Sequence, residues 1–533
     1  MHWIDETAEQ LIKNHPDTDT FVCAAGITPS GPIHMGNFRE FLTSYFITEG
    51  LKDKGKKVRF IMSFDNFDRF RKVPADVKKI VGDSFDKYVG MPDADIPDPW
   101  GCHKNYSEHF ASAFVDSVKQ FGIECEYLYQ VDKYRNGEYI DGIKKAVINR
   151  KEIYDILHQF KTKDFVHEKK LKDDSDRDLY VPVEIYCSKC NKDYTTVTKI
   201  SDDNMKLTYK CSVCGNEETI DINTYKNMKL VWKADWPMRW AHERVIFEPG
   251  GKDHGTEGSS YSVGKLLAPK VYNFNAPDFV MYEMIGLKGG AGKMSSSAGS
   301  VPTPADLLKI CPPEMILWLY SRVPARQSFV FSFDDEIIRQ YHEFDRMVTA
   351  YNKEDCPQNI KDIIKYALVN KKDKRSSTAN AQLLLSFGSI VNFDTEMVYN
   401  LFKRVVPDVR KEDILDRLPR IKYWAETYAP EKITRLLNDK NTEYFKNLSE
   451  KEQKDIRETY RLLKEKEYSL EELQQVLYAI PKDNSLSDKE NRPIQTKYFE
   501  NIYNLLIGSS TGPRLYLFLG ALDKELYLPL LNF

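Results

Sequence analysis

Near its start the chain contains a strand, a helix and a second strand within about 45 residues. The run TFVCAAGI at 20–27 is short, apolar and rich in β-formers, which is typical of a buried parallel strand. Apolar side chains then recur at spacings of three and four, which predicts a core-facing helix, before a second strand, VRFIMSFD at 58–65. Consecutive parallel strands need such a crossover, so the pattern predicts a parallel sheet that binds ligands at the carboxyl ends of its strands.

The loop that joins the first strand to the helix, PSGPIHMGN at 29–37, falls at such a carboxyl end. It places small polar residues, one histidine, a glycine and an asparagine at the mouth of the helix. Helix N-termini bind anions because their backbone N–H groups and the helix dipole favour negative charge. We therefore predict a nucleotide phosphate at this loop, with a plain capping loop as the alternative.

Length and composition limit the class of protein. With 533 residues the chain is too long for one hydrophobic core, so we expect roughly three or four domains. Its mean hydropathy is −0.53, no apolar run reaches the ~18 residues that span a bilayer, and the N-terminus shows no secretory signal. We expect a cytoplasmic protein without membrane contact, whose nine cysteines are reduced or bind metal. The net charge of −3 gives no indication of nucleic acid, so any basic face must be local.

Two cysteine pairs form the most specific local pattern. Cys187-x2-Cys190 is followed, after twenty residues, by Cys211-x2-Cys214. Each pair can direct two thiolates at one ion, and two pairs complete a tetrahedral zinc site. Four thiolates leave no open coordination position, so we predict a structural zinc; four reduced cysteines without metal are the alternative.

A second group of possible ligands lies in the segment DIPDPWGCHKNYSEHF. Asp98, Cys102, His103 and His109 offer one carboxylate, one thiolate and two imidazoles within twelve residues, all of them zinc ligands. Histidines near a helix start also often cap or pack, so the spacing alone leaves both interpretations open.

A glycine-rich loop, GLKGGAGKMSSSAGS at 286–300, carries one lysine followed by three serines. It does not fit the P-loop pattern, because Leu287 stands where a glycine is needed and Met294 where Ser or Thr is needed. Such a loop suits a polyphosphate whose charge grows during reaction, and a plain linker is the alternative.

The later part of the sequence mixes strand-like and helical patterns. RVIFEP at 244–249 and KVYNFN at 270–275 predict two further strands of the sheet. Beyond about residue 345 the pattern is helical, and two capping boxes, beginning at Ser449 and Ser469, mark helix starts.

Two widely separated motifs resemble the signatures of class I aminoacyl-tRNA synthetases. HMGN at 34–37 resembles their HIGH signature, and KMSSS at 293–297 resembles their KMSKS loop. The order of the motifs, their separation and the intervening GKDH are specific only in combination. The segments GITPSGPIHMGNFRE, DPWGCH, PMRWA, EPGGKDH and GPRL are most similar to the class I lysyl-tRNA synthetases, and this resemblance covers nearly the whole chain.

The resemblance implies an α/β fold: a Rossmann-like, doubly wound parallel catalytic domain with a zinc-binding insertion, followed by an all-α C-terminal domain. The implied domains are the first half of the catalytic domain (1–97), the zinc-binding insertion (98–230), the second half of the catalytic domain (231–285), the KMSKS-like loop and stem-contact region (286–345) and the α-helical anticodon-binding domain (346–533). In the last of these, Tyr498 and Tyr503 are candidate aromatic contacts for tRNA.

The resemblance also implies the activity of a lysine–tRNA ligase. ATP would activate L-lysine to lysyl-adenylate with release of pyrophosphate, and the lysyl group would pass to the terminal adenosine of tRNA(Lys). Mg²⁺ with ATP and two Zn²⁺ ions are implied, and a monomer is favoured. The alternatives are a class I synthetase for glutamate or cysteine, a nucleotidyltransferase of the same superfamily, and a zinc-ribbon nucleic-acid binder without activity.

The resemblance assigns the site residues by motif position. For ATP it implies Pro29, Ser30, Gly31, His34, Gly36, Asn37, Lys293, Met294, Ser295, Ser296 and Ser297, of which His34, Asn37, Lys293, Ser295 and Ser296 are the implied catalytic residues. For lysine it implies Gly26, Thr28, Trp232, His254 and Tyr282. It also implies that Asp98, Cys102, His103 and His109 hold the second zinc.

Three further points concern charge. Asp65 and Asp68 are candidate acids for the lysine ammonium, with strand-end salt bridges as the alternative. Asn37 and Ser296 stand where the general signatures have a histidine and a second lysine. Lys293 must therefore supply the fixed positive charge of its loop alone.

Overall fold

The structure is a computed structural model that describes residues 2–160, 176–288, 301–512 and 514–533. The chain divides into two compact units. The first comprises Met1–Leu308, Pro313–Phe331 and Pro357–Lys372, and the second comprises Lys309–Pro312, Ser332–Cys356 and Asp373–Phe533. None of the described helices is long and apolar enough to cross a membrane.

The strands described in the structure all belong to the first unit. In chain order they are β1 (Thr20–Ile27), β2 (Lys57–Phe64), β3 (Glu126–Tyr129), β4 (Val183–Ile185), β5 (Thr195–Ile200), β6 (Lys206–Cys211), β7 (Glu217–Asp221), β8 (Met228–Leu230), β9 (Phe247–Gly251), β10 (Asp278–Tyr282), β11 (Ile285–Leu287) and β12 (Phe329–Phe331).

Helices make up most of the remaining regular structure. The α-helices described in the first unit are Trp3–Asn14, Met35–Asp53, Ala75–Val81, Tyr106–Gln120, Gln130–Arg135, Ile140–Ile148, Arg150–Gln159, Asp176–Leu179, Trp232–Glu243, Lys252–Gly255, Ser260–Tyr272, Pro304–Leu308, Pro313–Ser321 and Gln358–Ala367. Those described in the second unit are Glu336–Tyr351, Ala381–Ile390, Thr395–Val405, Lys411–Tyr428, Thr442–Lys446, Glu450–Glu465, Leu470–Ala479, Asp488–Ile507, Leu515–Ala521 and Lys524–Leu531. Short 3-10 helices are Gly82–Tyr88, Asp93–Asp95 and Pro430–Lys432.

Five strands form the central sheet in the order β10-β9-β1-β2-β3, and every neighbouring pair is parallel. β1 and β2 pair along their whole length, from Thr20 opposite Lys57 to Ile27 opposite Phe64. β1 and β9 pair only at Cys23 and Phe247, so they separate toward their carboxyl ends. The chain order reverses at this pair of strands, as it does at the ligand crevice of a Rossmann-like α/β fold.

The structure confirms two of the predicted strands closely. The run predicted at 20–27 is β1, and the run predicted at 58–65 is β2, Lys57–Phe64. The strand predicted at 244–249 exists but begins later and is β9.

The strand predicted at 270–275 is wrong. The helix Ser260–Tyr272 covers its first half, and the next strand is β10, further along the chain. Leu267, Ala268 and Val271 are buried at spacings of one and three, which puts them on one face of a helix that packs into the core. Valine and tyrosine in a short run fit a strand or a buried helix equally well, so the local pattern could not decide.

The helix Met35–Asp53 follows the opening loop and is buried on most of its surface. Its N-cap is His34, whose Nδ1 accepts the backbone N–H groups of Gly36 at 3.1 Å and Asn37 at 3.3 Å. The imidazole therefore caps the helix N-terminus, as a Ser or Asp side chain commonly does. This capping fixes the ring at the carboxyl end of β1.

Residues between β3 and β9 carry two small antiparallel sheets. β5, β6 and β7 form one, and β4 pairs with β8 in the other. Cys211 is the last residue of β6, and its backbone N–H donates to the carbonyl of Asn216 across the following turn. The second cysteine pair thus lies on a tight turn between two strands.

The regular elements described in the second unit are helical. The predicted capping boxes at Ser449 and Ser469 are confirmed, and Ser487 begins a third. Tyr498 and Tyr503 are buried, so they do not offer exposed rings to tRNA. Tyr498 lies one turn before the buried Ile502 on the same helix face, which is why it belongs to the core.

Candidate active site

A cavity of about 600 Å³ opens at the carboxyl ends of β1 and β9, where the two strands separate. It brings together residues predicted from motifs far apart in the sequence. Those that line it are Gly26, Thr28, His34, Gly36, Asn37, Asp65, Trp232, His254 and Tyr282.

Some predicted ATP residues do not line this cavity. Pro29 and Gly31 are buried and Ser30 is exposed, all within the loop that leads to His34. The predicted Lys293, Met294, Ser295, Ser296 and Ser297 lie outside the described residues.

The side of the cavity nearest the opening loop is built around the His34 cap. Because Nδ1 accepts two backbone N–H groups, the neutral imidazole carries its proton on Nε2. The Asn37 side chain stands in the first turn of the same helix, where the helix dipole favours negative charge. This end of the cavity therefore offers donors and a positive dipole end to an anion.

Glu40 lines the same cavity and was not identified from the sequence. Its Oε1 accepts the Gly26 backbone N–H at 3.1 Å, and its Oε2 accepts the Tyr282 hydroxyl at 2.8 Å. Desolvation raises the pKa of this carboxyl to about 8. Its position three residues after Asn37, on a predicted helix, was the available signal, since such residues share a helix face.

Glu248 of β9 is a second glutamate of the cavity that the sequence did not reveal. Its Oε2 accepts the indole N–H groups of Trp236 at 3.0 Å and Trp240 at 2.7 Å. Desolvation raises the pKa of this buried carboxyl to about 7. The ring of Trp232 stacks on Trp236 with centroids 5.2 Å apart, so an aromatic wall adjoins the carboxylate.

The two candidate acids that follow β2, Asp65 and Asp68, each pair with a cationic side chain of the protein. Asp65 forms an ion pair with Arg239, and Asp68 forms one with Lys229. These pairs support the salt-bridge interpretation of both aspartates. Desolvation still raises the pKa of Asp65 to about 6, although Arg239 opposes the shift.

The four cysteines of the two Cys-x2-Cys pairs lie around one point. The sulfur atoms of Cys187 and Cys214 are 3.6 Å apart, as are those of Cys190 and Cys211, and all four lie within 4.8 Å of one another. Tetrahedral zinc with Zn–S bonds of about 2.3 Å needs sulfur atoms about 3.8 Å apart. The geometry therefore fits a tetrahedral thiolate site.

The second predicted ligand set is also assembled. Cys102 Sγ lies 3.1 Å from His103 Nδ1 and 3.2 Å from His109 Nδ1. The Asp98 carboxylate completes the group, and all four ligand atoms lie within 4.8 Å of one another. Trp100 stacks on the His109 ring at 4.1 Å and fixes its orientation. One thiolate, two imidazoles and one carboxylate at this spacing fit a zinc ion.

Comparison with known proteins identifies the family. The model of the family "tRNA synthetases class I (K)" matches residues 1–372. A lysine–tRNA ligase of Thermococcus kodakarensis is 34% identical over 98% of this chain and 98% of its own. One of Streptomyces coelicolor is 34% identical over 98% of this chain and 97% of its own, and one of Treponema pallidum is 38% identical over 65% and 63%. The resemblance drawn from the motifs is thereby confirmed, and the chain belongs to the class I lysyl-tRNA synthetase family.

Proposed function

We propose that this chain joins L-lysine to tRNA(Lys) in two steps, through a lysyl-adenylate. The observation that carries the proposal is one cavity lined both by His34, Gly36 and Asn37 of the HMGN motif and by the residues implied for lysine. Its place at the reversal point of a parallel sheet is where such folds bind nucleotides. A synthetase for glutamate or cysteine would also need a carboxylate for the α-ammonium, but its substrate has no ammonium group on the side chain. A nucleotidyltransferase would use the first set of residues without tRNA.

In the first step the lysine carboxylate attacks the α-phosphorus of ATP and pyrophosphate leaves. His34 Nε2–H and the Asn37 amide would donate to the phosphates, at the positive end of the helix. Mg²⁺ would supply counter-charge to the departing pyrophosphate. Lys293, with Ser295 and Ser296, would contact the phosphates as their charge develops, so this interaction would strengthen in the transition state.

The lysine substrate needs carboxylates for its ammonium groups. Glu40 lies one helical turn after Asn37 and is held by two neutral donors, Gly26 and Tyr282. The reacting carboxylate of lysine must lie against the phosphates, and its α-ammonium is only one carbon away. We therefore assign the α-ammonium to Glu40, with Thr28, His254 and Trp232 as further pocket walls.

The predicted domain roles belong to the same proposal. Residues 98–230 would form a zinc-binding insertion in a catalytic domain built from 1–97 and 231–285. Zinc at the four cysteines would be structural, and a second zinc at Asp98, Cys102, His103 and His109 would order the start of the helix Tyr106–Gln120. Residues 286–345 would contact the tRNA stem, and the all-α region 346–533 would bind the anticodon. The enzyme would act as a cytoplasmic monomer.

Pyrophosphate exchange tests the proposed function. Purified protein with ATP, labelled pyrophosphate and single amino acids is expected to show exchange with lysine, at a rate at least about a hundredfold above glutamate or cysteine. Exchange with another amino acid would identify a different synthetase specificity. A complete lack of exchange would favour the nucleotidyltransferase or the non-catalytic alternative.

Lysine binding is expected to release a proton near neutral pH. The pKa of Glu40 is raised to about 8, so its carboxyl is mostly protonated in the free enzyme at pH 7. An ammonium favours the ionised carboxylate, so binding should expel about one proton, and lysine affinity should increase as the pH rises from 6 to 8. Calorimetry at pH 7 in two buffers of different ionisation enthalpy measures the proton count.

Glu40→Gln is the matched variant for this measurement. The glutamine side chain keeps an oxygen that can accept a hydrogen bond from the Gly26 N–H, but it has no ionisable carboxyl group. Proton release should fall well below that of the wild type, and the rise of affinity with pH should flatten. A wild-type protein that binds lysine with no proton exchange at pH 7 would contradict the role of Glu40.

A further inference from the structure

Six carboxylate residues line the cavity, namely Glu40, Asp65, Asp68, Glu184, Glu248 and Asp253, and four of them differ in a telling way in their partners. Asp65 and Asp68 have the cations Arg239 and Lys229. Glu40 and Glu248 instead accept from neutral groups, namely a glycine amide, a tyrosine hydroxyl and two indoles. Neutral donors orient a carboxylate but do not neutralise it. The two glutamates can thus ionise as a cationic substrate enters the cavity, and their negative charge is then available to that substrate.

Both glutamates are close to one glycine of β1. Glu40 Oε1 is 3.1 Å from the Gly26 nitrogen, and Glu248 Oε1 is 3.9 Å from the point that a Cβ on Gly26 would occupy. The charge of Glu248 is one of the causes that raise the pKa of Glu40, as expected for two acids around one space. A substrate that binds between the two glutamates is bound most tightly if it carries two positive charges. Lysine at neutral pH carries two ammonium groups.

The surroundings of Glu248 suit the far end of the lysine side chain. Its Oε2 is held by Trp236 and Trp240, which leaves Oε1 on the side of Gly26. Trp232 and Trp236 both line the cavity and stack on each other. Indole faces cover methylene groups and attract ammonium groups through cation–π interaction. A carboxylate beside stacked indoles is therefore suited to an alkylammonium.

We propose that Glu248 binds the ε-ammonium of the substrate through Oε1 and so determines the selection of lysine. This inference rests on the proposed function and adds to it the residue that distinguishes lysine from an uncharged amino acid of the same length. The assignment follows from position, since Glu40 lies one turn from Asn37 at the reacting end, whereas Glu248 lies on β9 among the tryptophans. Each glutamate then binds one ammonium group.

The test compares three ligands that differ by one ammonium group. L-lysine has both, norleucine lacks the ε-ammonium, and 6-aminohexanoate lacks the α-ammonium. Binding to the full-length protein is measured for the wild type, Glu248→Gln and Glu40→Gln. Glutamine at 248 keeps an oxygen for the two indole N–H groups and removes the charge, so the aromatic wall should stay in place.

In Glu248→Gln the affinity for lysine and for 6-aminohexanoate should fall roughly ten- to a hundredfold, the range of a charge-assisted hydrogen bond. Its affinity for norleucine should stay within about twofold. Glu40→Gln should show the reverse pattern, with lysine and norleucine weakened together and 6-aminohexanoate little changed. An equal loss for lysine and norleucine in Glu248→Gln would overturn the proposal, because it would mean that Glu248 only holds the tryptophans in place.

A crystal structure of the wild type with L-lysine provides a test that does not depend on how a variant folds. The ε-nitrogen is expected at roughly 2.7–2.9 Å from Glu248 Oε1. An ε-nitrogen beside Glu40 would contradict the assignment. If the wild type exchanges pyrophosphate with lysine but Glu248→Gln still discriminates against norleucine as the wild type does, the inference fails and the function stands. If the wild type shows no lysine-dependent exchange, the proposed function itself is contradicted.

Discussion

Lys293→Ala is expected to reduce lysine-dependent pyrophosphate exchange by about a hundredfold or more while the protein still binds lysine. The KMSSS loop carries a single fixed positive charge, because Ser296 stands where the general signature has a second lysine. Negative charge develops on the phosphates as pyrophosphate leaves, and removal of one donor to such charge costs about 3–4 kcal/mol in other enzymes. The loss should therefore affect kcat far more than KM for lysine.

Lys265→Ala is the matched control for this variant. Lys265 is an exposed lysine on the helix Ser260–Tyr272, so its replacement removes an equal charge from the surface of the same unit. Exchange rates are measured at saturating lysine for both variants, and lysine affinity is measured by direct binding. If Lys293→Ala exchanges as fast as the control, the loop has no part in stabilising the phosphates.

With zinc at both proposed sites, Cys211→Ser is expected to lose one of the two ions and to lower the thermal stability of the protein substantially. Cys211 is fully buried at the end of β6, and its sulfur lies 3.6 Å from that of Cys190. Structural zinc contributes directly to folding, with apparent binding free energies of about 10–16 kcal/mol in small zinc-binding peptides. Elemental analysis of the purified protein gives the zinc content, and thermal unfolding gives the change in Tm.

The control for zinc is Cys125→Ser, which replaces a partly buried cysteine outside both ligand sets. It should keep the full zinc content and a Tm close to that of the wild type. A Cys211→Ser protein with unchanged zinc would show that the four cysteines do not hold the metal. A loss of both ions would instead indicate that the two ligand sets depend on each other.

Local pattern was sufficient for the parts of the fold whose residues are close in sequence. β1 is a mostly apolar run and β2 has an apolar centre, and the helix between them has its apolar residues at helical spacing. The capping boxes at Ser449 and Ser469 need only residues three apart. Each Cys-x2-Cys pair, and the group from Asp98 to His109, consists of residues close in sequence, so residue type and spacing identified them as possible ligands.

Long-range partners could not be predicted in the same way. The Glu40 carboxylate accepts hydrogen bonds from Gly26 and from Tyr282, which lies 242 residues away in the sequence. The sequence left Asp65 either as an acid for the lysine ammonium or as a strand-end salt bridge, and it could not indicate that the partner is Arg239, 174 residues later. Single-sequence patterns do not indicate which residues the fold brings together, and the charge state of a carboxyl depends on those neighbours.

The helix Met35–Asp53 has a consequence for how the two substrates meet. Under the proposed roles, Asn37 contacts the nucleotide and Glu40 the amino acid, and the two residues are three positions apart on one rigid helix. Helix geometry places the two residues about 4.5 Å apart along the helix axis, so the positions that contact the two substrates keep a fixed separation. Inserting one residue between them would rotate Glu40 by about 100° and carry its carboxylate away from Gly26. The two side chains between them, Phe38 and Arg39, are buried, and Arg39 donates to the backbone carbonyls of Glu283, Pro324 and Gln327, so this turn is fixed in place within the first unit.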